Sequence, residues 1–316
     1  MKILIAYDGS ECSDAALDDL KKAGLPEEDV EAVVMSVAEV WLPPPPENET
    51  LSEYARNLQT NPQPFKAYET HAKAVTEAET LAKHAQSRLL RNFPAWQISA
   101  EPNYGSPAWE IITKAAEMKA DLIIVGSHGR SAVGRFFLGS ISNRILTEAG
   151  CSVRVARGRI EVDPVPPQRV VIGFDGSSGA NAAVEAVAAR NWREGSEIRL
   201  IAVADPLIPT AIGLFIPPVS NWVDDEMNNE SERIEKLAEE SLKLLRSSGL
   251  ETTLHIYAGN PKQILVEESE RWHADSIFVG ANRFDSRIER FLLGSVSAAA
   301  AARAHCSVEV VRRQAA

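Results

Sequence analysis

Cysteine is scarce in this chain of 316 residues: there are three, Cys12, Cys151 and Cys306, too few and too scattered for a disulfide framework or a four-cysteine zinc site. Cys151 and Cys306 stand at equivalent helix-to-strand turns without a basic neighbour to lower a thiol pKa, so both read as small packing residues, and Cys12 reads the same way. Long apolar runs are absent as well. Nothing approaches the roughly 18 residues that span a bilayer, so no membrane association is expected, and Ile3 to Tyr7 is too brief for a signal-peptide core. A reducing cytoplasm is the expected location. Basic charge is in deficit: the net charge of -11 divides into 16 basic against 21 acidic residues through Gly158 and 17 against 23 afterwards. An acidic balance in both halves argues against nucleic acid as a partner.

Several catalytic signatures are missing too. There is no Gly-x4-Gly-Lys-Ser/Thr loop, and Gly173-x2-Gly176-x2-Gly179 has the wrong spacing for a dinucleotide fingerprint. Ser10 and Ser177 follow Asp-Gly without a nucleophile-elbow pattern and read as turn or cap residues. The six histidines show no metal-ligand spacing, so no protein metal site is expected.

What is present is a duplication. Lys2 to Leu20 matches Arg169 to Val187, aligning Asp8-Gly9-Ser10 with Asp175-Gly176-Ser177. Tyr104 to Pro107 matches Ala258 to Pro261, and Cys151-Ser152-Val153 matches Cys306-Ser307-Val308. The proline-bearing segment around Pro164, Pro166 and Pro167 separates the copies, giving domains 1–158 and 169–316 with a linker at 159–168.

Within each copy short β-rich runs alternate with helical patterns, which predicts an α/β fold with a parallel sheet wrapped by helices. In the first copy the strands fall near Lys2 to Tyr7, Val30 to Val37, Gln97 to Asn103, Asp121 to Val125 and Ser152 to Arg157. A helix over Pro107 to Lys119 has Ser106 as its cap and proline at its first position, and the second copy repeats this with Asn260 and Pro261. Trp41 to Tyr68, with Pro43 to Pro46, is expected to be the longest irregular segment, and Asp205 to Val223 is its shorter equivalent. Such loops serve as lids and contact surfaces, or are plain surface excursions. Glu226 to Arg246 is expected to be an amphipathic helix with a solvated charged face.

The residues with chemistry are Gly126-x2-Gly129-x9-Gly139-Ser140, placed after the apolar run Leu122 to Val125 and ahead of a helical stretch. Ligands of open α/β sheets bind at the carboxyl ends of strands where the strand order reverses, so Asp8 and Gly126 are expected to face one crevice. Gly126 and Gly129 would admit the ligand closely and take positive φ. Gly139, Ser140 and Ile141 open a helix whose free amides suit an anion, and Arg130 and Arg135 supply charge. His128 reads as a loop-surface residue, with contact to phosphate as the alternative. In the second copy Arg283 stands where Gly129 stood and the spacing from Gly280 to Gly294 is one residue longer, so that site is doubtful.

Together, Asp8-Gly9-Ser10, the glycine motif and Ser152-Val153-x-Val155 resemble the ATP-binding branch of the universal stress protein family in tandem form. The resemblance implies two five-stranded parallel sheets in order 3-2-1-4-5 with helices on both faces. It implies ATP with Mg or Mn, adenine against Asp8 and Val37, and ribose and phosphates against Gly126, Gly129, Gly139, Ser140 and Ile141. In the second copy Asp175, Val203, Gly280, Gly294 and Ser295 retain the pattern. It further implies an internal pseudo-dimer through the last strands, with a further homodimer open. The expected function is a regulatory ATP-binding protein of the stress response with slow hydrolysis at most; a faster ATP-dependent enzyme and a scaffold that binds no nucleotide are the alternatives.

Overall fold

Parallel strands demand long crossovers, and the alternation of apolar runs with helical stretches supplies them. The structure, a computed structural model, describes residues 1–60, 66–128, 138–157, 165–204, 217–281 and 293–313. The chain divides into two compact units, Met1–Glu161 and Val162–Arg313.

In the first unit β1 (Lys2–Ala6), β2 (Glu31–Ala38), β3 (Gln97–Tyr104), β4 (Leu122–Gly126) and β5 (Ser152–Ala156) form one sheet in the order β3-β2-β1-β4-β5. Every pairing is parallel, with Ile3 opposite Ala32 on one side and Leu122 on the other. β4 is buried along its whole length, which is why it reads as an unbroken apolar run rather than an alternating one. The edge strand β3 is only partly covered and there tolerates Pro102, whose missing N–H no ladder needs. Helices α1 (Glu11–Asp19), α2 (Leu51–Thr60), α3 (Lys66–Asn92), α4 (Pro107–Glu117) and α5 (Ser140–Glu148) connect the strands. The main core joins Ile3, Ile5, Leu17, Leu89, Leu122 and Ile124, all at most 1% exposed.

The second unit repeats this plan with β6 (Arg169–Gly173), β7 (Glu197–Ala204), β8 (Glu251–Ala258), β9 (Ser276–Gly280) and β10 (Ser307–Val311) in the order β8-β7-β6-β9-β10, all parallel. Its helices are α6 (Ser178–Ala188), α7 (Pro217–Ser247), α8 (Pro261–Arg271) and α9 (Ser295–Arg303). No described helix is long and apolar enough to cross a membrane.

The expectation of one irregular stretch from Trp41 to Tyr68 is corrected: α2 occupies Leu51–Thr60 and α3 already begins at Lys66. The cause is a capping box. Thr50 Oγ1 accepts from the amide of Glu53 at 3.3 Å while Glu53 Oε2 accepts from the Thr50 amide at 2.9 Å. Leu58, Ala72 and Val75 then close a satellite core with Leu42 beside the tip of β2. In the second unit 205–216 lies outside the described residues, and from Pro217 the chain is helical, nine residues ahead of the expected Glu226.

Candidate functional site

The chain leaves β1 through Tyr7 and makes a tight turn. Asp8 Oδ1 accepts from the Ser10 amide at 3.0 Å and from Ser10 Oγ at 2.6 Å, while Gly9 sits at φ 75, a value that favours glycine. Ser10 then caps α1 by accepting from the Ser13 amide at 3.2 Å. The second unit repeats the device: Gly176 has the same φ of 75, and Ser177 accepts from the Ala180 amide at 3.1 Å. Both serines are therefore cap residues, as expected. Ser106 and Asn260 differ: Asn260 Oδ1 accepts from the Lys262 amide at 3.0 Å, but the Ser106 side chain makes no cap hydrogen bond. Proline at the first helical position, with its preset φ, marks the start of α4 by itself.

Because β1 pairs with β2 on one side and β4 on the other, a crevice opens between the carboxyl ends of β1 and β4. It is a cavity of about 650 Å³, in the range that holds small molecules. Asp8, Val37, Gly126, Gly139, Ser140 and Ile141 all line it, so six of the expected site residues converge. Gly129, Arg130 and Arg135, and Arg283 in the second unit, lie outside the described residues. Gly139 caps α5 at φ -59 and ψ 152, and its amide donates to Ser127 O at 2.8 Å. The amino end of α5, the positive end of the helix, thus lies at the cavity wall.

The expected reason for Gly126 is corrected. It is not among the glycines at positive φ. A Cβ placed on it would lie 2.8 Å from both the carbonyl carbon and the oxygen of Cys12, so the glycine is required by the close approach of α1 to β4. Gly126 nevertheless lines the cavity together with Gly139 and Ser140 of the same motif.

Composition gave no hint of the far wall. Ala74, Glu77, Ala78 and Leu81 of α3, with Glu39 and Val40 after β2, complete the cavity. The alanine stripe of α3 was the available signal, because a helix lined with alanine can approach closely.

His128 also lines the cavity, its Nδ1 3.1 Å from Ser127 Oγ, so it is not simply a surface residue. Burial, and then the neighbouring Arg157, hold its imidazole below the ordinary 6.5. Burial first also lowers His255 and His305. With folded-state values below the unfolded one, the unfolded chain binds more protons as the pH falls through 6.5. Stability should therefore be full above about pH 7 and decline on acidification through the histidine range. Thermal melts at several pH values check this; a melting temperature that climbs on acidification would contradict it.

In the second unit Asp175, Val203, Gly280, Gly294 and Ser295 line a cavity of only about 170 Å³. Two of the first unit's contacts are replaced here by smaller residues. At the positions aligned with Cys12 and Ser127, whose sulfur and hydroxyl meet at 3.8 Å, stand Gly179 and Ala281. A Cβ on Gly280 would fall 2.1 Å from the carbonyl carbon of Gly179, so α6 sits closer against its strand than α1 does. Leu265 then approaches Gly173, the counterpart of Ala6, and fills the floor.

Two doubly wound α/β domains in tandem, each with a crevice at the switch point of its sheet, define the class of protein. The chain belongs to the universal stress protein family, whose model matches residues 1–157 and again 167–312. A universal stress protein of Mycobacterium tuberculosis is 30% identical over 208 residues, 64% of this chain and 62% of the relative. The matched region thus spans about three-fifths of the length of these curated relatives. The crystal structure of a universal stress protein from Archaeoglobus fulgidus has the same tandem fold, with a TM-score of 0.63 at 20% identity over 99% of this chain and 96% of that one. A smaller family member from Arabidopsis thaliana, solved with AMP bound, is 19% identical over 47% of this chain and 94% of its own, with a TM-score of 0.31.

Proposed function

We propose that the first unit binds ATP, with Mg or Mn accompanying the phosphates, and that the protein acts as a nucleotide-responsive regulator of the stress response. The observation that carries this reading is the cavity of about 650 Å³ in which Asp8 and Val37 face the amino end of α5. Asp8 and Val37 would take the base, and Gly139, Ser140 and Ile141 the phosphates, where backbone amides and the helix dipole favour an anion. Gly129 and Arg130 belong to the same proposed site. Among the described residues no group of three or more His, Cys, Asp or Glu is placed to hold a metal, so the ion would travel with the phosphates. Asp175, Val203, Gly280, Arg283, Gly294 and Ser295 would form a second site, but a cavity of about 170 Å³ supports one nucleotide per chain. Regulation is favoured over turnover because His128 is bonded to Ser127 rather than oriented by a carboxylate.

Nucleotide released from the denatured protein and counted by mass spectrometry, with ATP titration calorimetry, should give one equivalent. Zero sinks the nucleotide reading in favour of a scaffold, and two sinks the asymmetry. Rapid saturable ATPase turnover would favour an enzyme. Gly139→Trp should abolish binding with little change in melting temperature, because Gly139 has backbone angles open to any residue; unchanged affinity would refute the assignment.

A further inference from the structure

The wall of the first cavity is held by a polar network behind it. Asp14 Oδ1 accepts from Tyr7 Oη and from Arg88 Nη1, each at 2.8 Å, and Arg88 Nη2 reaches Asp18 Oδ2 at 2.7 Å. Tyr7 belongs to the cavity floor and immediately precedes Asp8. Arg88 lies seven residues, about two turns, beyond the wall residue Leu81 and on the same side of α3. The buried side of α3 is largely alanine, with Ala78, Ala82 and Ala85 at most 4% exposed. Alanine permits close approach but offers little to interlock, so directional bonds must set where such a helix stops. Gln86 supplies one, to Ile98 O at 2.6 Å on β3. Arg88 supplies the tie to α1, and it also bridges Asp14 and Asp18, like charges one turn apart.

The second unit lacks this arrangement at each aligned position. Phe174 replaces Tyr7 and has no hydroxyl, and Asn181 replaces Asp14. Glu185, aligned with Asp18, pairs instead with Arg313 at 2.7 Å. The tie from α7 is a neutral contact, Ser241 Oγ to Asn181 Oδ1 at 3.4 Å. The ionic clamp accompanies the large cavity and the neutral contact accompanies the small one.

We infer that Tyr7, Asp14 and Arg88 are positioning residues of the nucleotide site, fixing α3 as its wall without touching the ligand's phosphates. The inference rests on the reading that the first unit binds ATP. Calorimetric ATP affinity and the melting temperature, measured on the same full-length preparations, test it. Tyr7→Phe, the residue the second unit tolerates at this point, should weaken binding about fivefold, the scale of one hydrogen bond, with little change in melting temperature. Arg88→Met should weaken it about tenfold or more, and Arg88→Lys should recover part of the loss. Because both groups act through one carboxylate, the double variant should bind scarcely worse than Arg88→Met alone.

A wild-type protein that binds no ATP removes the underlying reading and the clamp with it. Wild-type binding that persists unchanged in Tyr7→Phe and Arg88→Met overturns the clamp alone. Strictly additive losses would show two unrelated contacts and would also overturn it. If Arg88→Met fails to fold, Tyr7→Phe and Arg88→Lys decide the matter by the same affinities.

Discussion

Asp19→Ala is expected to destabilise the protein by about 3–5 kcal/mol, read as a large drop in the urea midpoint. Asp19, on α1, is 3% exposed by side chain, and Arg154, on β5, is fully buried. The guanidinium grips the carboxylate with two bonds, Nε to Oδ2 at 2.6 Å and Nη2 to Oδ1 at 3.1 Å. Truncating the acid leaves a buried cation without this partner, which costs far more than the pair's net contribution. Replacing both by apolar residues of similar volume, Asp19→Leu with Arg154→Met, should recover most of the loss. A single variant with a midpoint near wild type would show that the pair is solvated. The second unit solves the same problem with the charges exchanged: its strand carries Glu309, at the position aligned with Arg154, and Arg190 beyond α6 is its partner. Each unit thus pairs a buried strand charge with a side chain on or just beyond its first helix.

Gly280→Ala is expected to be as damaging for the second unit. A methyl group there would stand 2.1 Å from the Gly179 carbonyl carbon, 2.3 Å from its oxygen and 2.6 Å from the Ala180 amide nitrogen. Three backbone atoms at the start of a helix cannot rotate aside as a side chain can, so α6 must shift bodily. Overpacking of this kind costs about 1–3 kcal/mol, and contact with immovable backbone puts the expected loss at or above the upper end. Gly126→Ala, with its nearest contacts at 2.8 Å, should cost less. Melting temperatures should therefore fall in the order wild type, Gly126→Ala, Gly280→Ala; the reverse order would refute the packing explanation. The pair also separates two meanings of one motif. Gly126→Ala should lose stability first, whereas Gly139→Trp should lose ATP while keeping its melt.

Much of the architecture was legible because it is local or repeated. Five short apolar runs in the first copy, each within a few residues of its strand, marked the parallel sheet. Pro107 marked one helix start through φ alone, and Pro261 marked another together with the Asn260 cap. The helix Leu51–Thr60 was missed although its signal, Thr50-x2-Glu53, was present, because the prolines around it weighed more heavily. Of the six expected residues that line the cavity, Asp8, Gly126, Gly139, Ser140 and Ile141 were legible from a turn after β1 and a glycine motif ahead of α5, which are short-range features, whereas Val37 came from the family resemblance alone.

The sequence by itself determined the duplication, the strand and helix alternation, and the convergence of Asp8 with Gly139 and Ser140 on one crevice. Only the tertiary structure decided that Gly126 serves the packing of α1, that α3 forms the far wall, and that the two cavities differ from about 650 to about 170 Å³. The physical reason is that these properties are distances between residues far apart in the chain. Cys12 meets Gly126 and Asp14 meets Arg88 only after the sheet has formed, and a shift of less than an ångström between helix and strand is not encoded in any pattern that a single segment displays.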